Sequence, residues 1–171
     1  MTEKEIKNRV DKVFAETDII STPIQIVSIA NFYGFKVYQT PMDDNVSGMI
    51  LSDEKNIKNF NHNKIIVINA NHPDTRKRFT IAHELGHYIL QNKPDSCYAH
   101  RDLGSYDSDE KNANSFASAL LMPEKDVLNQ VEALRQQSPD INNLSLTSLI
   151  ANNFDVSLSA AQVRLKKLGC I

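Results

Sequence analysis

The chain has 171 residues, 41% hydrophobic and 23% charged, and 19 Lys+Arg against 21 Asp+Glu leave a net charge of −2. A chain of this length buries roughly 68–70% of its unfolded surface, so one domain with at most a small appendage is expected, without need of disulfides. The near-neutral balance excludes a globally basic nucleic-acid binder, and five Gly and six Pro exclude a collagen-like or linker-like chain.

The apolar runs are short, Ile65-Ile66-Val67-Ile68 being typical, and none approaches the ~18 residues of a membrane span. Met1 to Arg9 is charged and lacks an apolar core, so no signal peptide is expected. Two cysteines, Cys97 and Cys170, make no disulfide framework. A cytoplasmic protein with reduced thiols is the expectation.

Thr2 and Glu5 have capping-box spacing, and Ile6, Val10, Val13 and Phe14 continue as the stripe of an amphipathic helix. Ser21, Thr22 and Pro23 before an apolar run, with Gly34 after it, predict a second helix over 23–33. Ile26, Ile29, Ala30 and Tyr33 form its inward face. The period then changes. Segments 35–39, 46–51 and 64–69 read as strands, with turns at 43–45 and 61–63. They predict a three-stranded antiparallel sheet, in which 46–51 is an edge where an extended peptide could add, Gly48 permitting close backbone approach. From Pro73 onward the pattern is helical over 73–91, 108–121 and 123–136, broken by a loop at 92–107 and by Pro123. Ser138-Pro139-Asp140 ends this body, and helices over 145–153 and 157–168 follow in a helix-turn-helix-like arrangement. The fold class is α+β, with a body over 1–137 and a small helical segment over 138–171 packed on it.

Residues 83–87 read His83-Glu84-Leu85-Gly86-His87. Histidines at i and i+4 share one helix face, so both imidazoles can reach one tetrahedral zinc at about 2.0–2.1 Å. Glu84 need not be a ligand and can sit beside the water that the metal activates. The competing reading is a pair of inward histidines hydrogen-bonded to backbone. Phe79, His83, Gly86, His87 and Leu90 form one stripe, which favours the metal.

A catalytic zinc wants a third protein ligand and an open position. Leu90 and Lys93 stand where an extended metzincin motif requires Gly and His, so that class is excluded. The downstream candidates are Cys97, His100, Asp107, Asp109, Glu110 and Glu124. Glu110 is the best placed, because the helix over 108–121 presents Ala113, Phe116, Ala117, Leu120 and Leu121 inward, and small Ala113 and Ala117 allow close approach to the histidine helix. Spacing alone leaves it equally readable as an acid in a first helical turn. Asn114, one turn on, is either an outer hydrogen-bond partner of a ligand histidine or a surface residue. Tyr98, His100 and Tyr106 are candidate donors to an oxyanion.

The run Arg78-Phe79-Thr80-Ile81-Ala82-His83-Glu84-Leu85-Gly86-His87, followed by Glu110, Ala113-Asn114, Phe116-Ala117 and Leu120-Leu121-Met122-Pro123, resembles the ImmA/IrrE family of metallo-endopeptidases. Ser47-Gly48, the strand ending at Asn69, and Phe154, Val156-Ser157, Ala160, Arg164-Leu165 and Leu168-Gly169 match as well, so the resemblance covers most of 25–169. It implies a gluzincin-like zinc peptidase with His83, His87 and Glu110 as ligands and Glu84 as the catalytic carboxylate. It also implies bacterial, phage or mobile-element origin and a helix-turn-helix repressor as substrate, cut to relieve repression. Many members carry a second Glu where this chain has Asn112.

Two other functions compete. One is a non-cleaving regulator that docks on a repressor, keeping the zinc site as a relic. The other is DNA binding through 145–168, where Arg164, Lys166 and Lys167 offer a thin basic footprint. An intact Glu84 favours the enzyme.

Overall fold

The computed structural model describes the backbone of residues 1–57, 61–91, 98–101 and 108–171, and their side chains except at 53–56, 91 and 98–101. Short-range signals account for most element ends. The Thr2 hydroxyl accepts the Glu5 N–H at 3.3 Å, and the Glu5 carboxylate accepts the Thr2 N–H at 2.7 Å. This capping box opens α1 (Glu3–Thr17), which buries Ile6, Val10 and Val13. Helix α2 (Ile26–Phe32) buries Ile26, Ile29 and Ala30, and the chain leaves it through Gly34 at φ 86°. It begins three residues later than the Pro23 signal predicts. The Ile24 carbonyl accepts instead from the Ile26 N–H at 2.9 Å and from Arg78 Nη2 at 2.9 Å, so a tertiary contact holds this stretch in a turn.

The fold is α+β, as expected, but the sheet differs from the three-stranded antiparallel one. It has four strands, β1 (Lys36–Thr40), β2 (Val46–Ile57), β3 (His62–Asn69) and β4 (Tyr98–Arg101), in the order β1-β3-β2-β4. β2 is antiparallel to β3 and β4, whereas β1 runs parallel to β3. Periodicity finds strands but carries no information on which neighbours pair, and β4 lies inside the segment that composition assigns to a loop. The ordering also corrects the expected peptide-binding edge. β2 is flanked on both sides over its first half, and among the described residues the edges are β1 and β4. Gly48 does permit a close approach, but of the next helix. A Cβ there would meet Thr80 Cγ2 at 2.6 Å and the Val67 carbonyl at 2.8 Å.

Parallel β1 and β3 force the 41–45 connection around the end of β3 to reach β2, and Asn69 holds it there. Its side chain, fully buried, donates to the carbonyls of Met42 (3.3 Å), Asp43 (3.1 Å) and Val46 (2.9 Å) and accepts from the N–H groups of Met42 (3.2 Å) and Asn71 (3.0 Å). Replacing it with alanine strands several buried backbone groups at once. Asn69→Ala is therefore expected to cost about 3 kcal/mol or more, read as a lower urea midpoint at unchanged slope. A loss below about 1 kcal/mol, no more than one ordinary hydrogen bond contributes, would refute the clamp.

Helix α3 (Asp74–Gln91) lies on the sheet and against α4 (Ser108–Leu121). Ile81, Ala82 and Leu85 meet Phe116, Ala117, Leu120 and Leu121 in one buried cluster. The same cluster takes in Val127 and Val131 of α5 (Glu124–Gln137), Leu146, Ile150 and Phe154 of α6 (Asn143–Phe154), and Ala161 and Leu165 of α7 (Leu158–Lys167). Arg78 ties α3 to the α6–α7 turn, its Nε lying 3.1 Å from both the Asp155 carbonyl and Asp155 Oδ2. The thin basic footprint of the last helices is reduced on folding. Arg164 is buried, and of the two exposed lysines Lys167 pairs with Glu3 at 2.6 Å.

Candidate metal centre

The motif helix is α3, and its i, i+4 histidines fall one above the other as 3.6 residues per turn requires. Their rings are edge-on, with centroids 4.6 Å apart and His83 Nε2 2.9 Å from His87 Nε2. Glu110, in the first turn of α4, reaches over from the facing helix. Its Oε2 is 3.3 Å from His83 Nε2 and its Oε1 is 3.3 Å from His87 Nε2. His83, His87 and Glu110 thus form a group able to hold a metal ion, with ligand atoms all within 4.8 Å of one another.

The donor geometry fits zinc. Ligand atoms about 2.0–2.1 Å from a tetrahedral ion are separated by roughly 3.3–3.4 Å. Both nitrogen–oxygen distances match, and the nitrogen–nitrogen distance is shorter by a few tenths of an ångström. Two imidazoles and one carboxylate are also a donor set of the catalytic zinc type.

Asn114, one turn beyond Glu110, places Oδ1 3.0 Å from His83 Nδ1. An amide oxygen only accepts, so this bond requires the proton on Nδ1 and leaves the Nε2 lone pair facing the other donors. Asn112 lies elsewhere on α4, its Oδ1 accepting from the Met1 amine at 3.4 Å. Asn112 is thus turned toward the residue that precedes α1.

Glu84 is buried, 1% exposed. Burial first, and the negative charge of Glu110 second, push its carboxyl well above the usual carboxylate range. A cation held by Glu110 and the two imidazoles would act in the opposite sense on the same carboxyl.

The close approach of the two helices rests on Gly86 as much as on the alanines. A Cβ at Gly86 would lie 3.1 Å from Phe116 Cδ1 and 3.2 Å from both the Ala113 Cα and its carbonyl. A glycine inside a helix costs about 1 kcal/mol against alanine, which is the sequence signal for such a contact. Among the other candidates for third ligand, Glu124 is bonded to Lys7 at 2.6 Å and Asp109 is exposed. Cys97, Asp107 and Tyr106 lie outside the described residues, as do the side chains of Tyr98 and His100, although their backbone forms β4.

An α+β body that brings the two histidines of a His-Glu-x-x-His helix against a glutamate of the next helix defines the class of metallopeptidase-like proteins. Residues 34–166 match the peptidase family described as the IrrE N-terminal-like domain, M78, and the chain belongs to that family. It is also similar to uncharacterized immunity region protein 2 of Bacillus phage phi105, 31% identical over 97 residues. That alignment covers 56% of this chain and 57% of the phage protein, so the chain spans little more than half of that relative. No helix among the described residues is long and apolar enough to cross a membrane.

Proposed function

We propose that the protein is a zinc-dependent endopeptidase that cleaves a helix-turn-helix transcriptional repressor and so relieves repression. The observation that carries the reading is the convergence of His83 Nε2, His87 Nε2 and Glu110 beside Glu84. Family membership and the phage immunity-region relative support it. In this reading His83, His87 and Glu110 are the metal ligands, and zinc, when bound there, supplies Lewis-acid activation of water and of the scissile carbonyl.

The remaining chemistry belongs to the chain. Glu84 accepts the proton of the attacking water and returns it to the leaving amine, a role suited to a carboxyl that burial makes more basic. Asn114 holds the His83 ring in the tautomer that presents Nε2. An extended peptide would pair with β4, the edge strand next to β2 among the described residues, since β2 itself is already paired with β3 and β4. The substrate is a protein met in the cytoplasm, and 138–171 serves as a helical segment supporting the peptidase body.

Asn114→Ala is expected to weaken zinc binding by about 10–100-fold without unfolding the protein. Competition against a chromophoric chelator measures it. Unchanged affinity would remove Asn114 from the site. The function itself is tested by incubating the zinc-loaded protein with candidate helix-turn-helix repressors, sought first among the genes near its own, and following fragments by mass spectrometry. One discrete cut, lost on chelation and restored by zinc, is expected. Relief of repression in cells with the repressor left intact would replace cleavage by docking.

A further inference from the structure

A cavity of about 590 Å³ lies between α1, the α4–α5 junction and α7. It is distinct from the metal centre. Ser115 and Ala119 of α4 line it, whereas Glu110, Ala113 and Ala117 belong to the side that meets α3. Its size is within the roughly 300–1,000 Å³ of small-molecule sites. Much of its wall is apolar, built from Ile6, Val10, Phe14, Ile24, Ala119 and Leu168.

Two polar features meet there. The first is the N-terminus of α5, a 14-residue helix whose N-cap is Pro123 and which no side chain caps. Pro123, Glu124, Lys125 and Asp126 all border the cavity, so its first turn brings uncapped N–H groups and the positive end of the helix dipole to the wall. The second is Arg164, 6% exposed. Its Nε donates to the Met122 carbonyl at 3.0 Å, which sets the guanidinium beside Pro123. Its two terminal nitrogens make no hydrogen bond among the described residues, and the residue lines the cavity. These nitrogens are not among the buried unpartnered atoms of the described residues, so they open to the cavity and can donate to an acceptor that enters it.

The surrounding charges restrict what that can be. Lys7 is bonded to Glu124 and Lys167 to Glu3, both at 2.6 Å, so these four are paired with one another. Lys4, Asp11, Lys125 and Asp126 complete the rim. Burial lowers the Arg164 pKa, and the nearby charges of Glu124 and Glu3 act against it. Those two acids would repel a dianion, while one negative charge at the guanidinium and helix end is matched.

We propose that this cavity binds a small organic monocarboxylate. The carboxylate accepts from the terminal nitrogens of Arg164 at the N-terminus of α5, and the apolar body lies along Ile6, Val10 and Phe14. The inference is independent of the peptidase reading, and its test uses no catalysis. Octanoate, far below its micelle threshold, is titrated into the full-length protein carrying labelled Ile, Leu and Val methyl groups. Saturable shifts confined to Ile6, Val10, Ile24 and Leu168 are expected. Octanol should bind at least about tenfold more weakly, as loss of a charge-assisted hydrogen bond implies. Arg164→Gln should weaken octanoate by a similar factor. Should that variant fail to fold by circular dichroism, Ala119→Phe, which fills the cavity and keeps the guanidinium, is expected to abolish the shifts. Octanol binding as well as octanoate, shifts centred elsewhere, or unaltered binding by Ala119→Phe would overturn the proposal.

Discussion

Glu84→Gln is expected to abolish repressor cleavage while leaving zinc bound and the fold intact. Glutamine keeps the shape of the side chain but cannot accept the proton of the attacking water. Loss of a general base costs about 10²–10⁴ in rate, and more where the same group must return the proton to the leaving amine. Zinc affinity should barely move, because the three converging donor atoms come from His83, His87 and Glu110. The fold should tolerate the change as well, since the amide places no new charge at a site that burial and Glu110 already make unfavourable for one. Fragment yields by mass spectrometry, with metal content measured on the same sample, read both halves. A variant that cuts at the wild-type rate would show that Glu84 is not the base. A variant that loses zinc would place Glu84 among the ligands.

Glu110→Ala is expected to have the largest effect on the metal. Among the described residues it removes the oxygen donor of the group and the member supplied by α4, leaving two imidazoles on a single helix. Losing an outer partner of a ligand typically costs 10–100-fold in affinity, and losing the ligand itself should cost more than about 100-fold. Chelator competition followed by metal analysis measures it. Stability without metal should change little, because Glu110 is half-buried in a first helical turn and removing it relieves its repulsion of Glu84. Wild-type zinc affinity in Glu110→Ala would return the third ligand to the segment between α3 and α4.

Much of this site was legible before any coordinates. The i, i+4 histidines follow from helix geometry alone, and the stripe through Phe79, His83 and Leu90 showed which face turns inward. Glu110 was legible only as the best of several acids. Its selection needs α4 to lie against α3 in one register, and Gly86 permits that register by letting Phe116 and Ala113 come within 3.2 Å of where a Cβ would stand. Asn114 was similarly undecided until its Oδ1 fell 3.0 Å from His83 Nδ1.

The division follows the range of the interactions. Caps, helical stripes and β-branched runs act over a few residues, so the sequence by itself determined the capping box at Thr2, the seven helical segments, three of the four described strands and the face of α3 that carries both histidines. Strand order, the parallel pairing of β1 with β3 and the short strand β4 were decided only in the tertiary structure, because pairing depends on residues far apart in the chain. The same holds for the polar residues of the interior. Asn69, Arg78 and Arg164 read in sequence as ordinary polar positions. The fold turns the first two into anchors for distant backbone carbonyls, and Arg164 into both an anchor for Met122 and a buried cation at the edge of a cavity. A buried polar group is tolerated only where such partners converge on it, and that convergence exists only once the distant elements have packed.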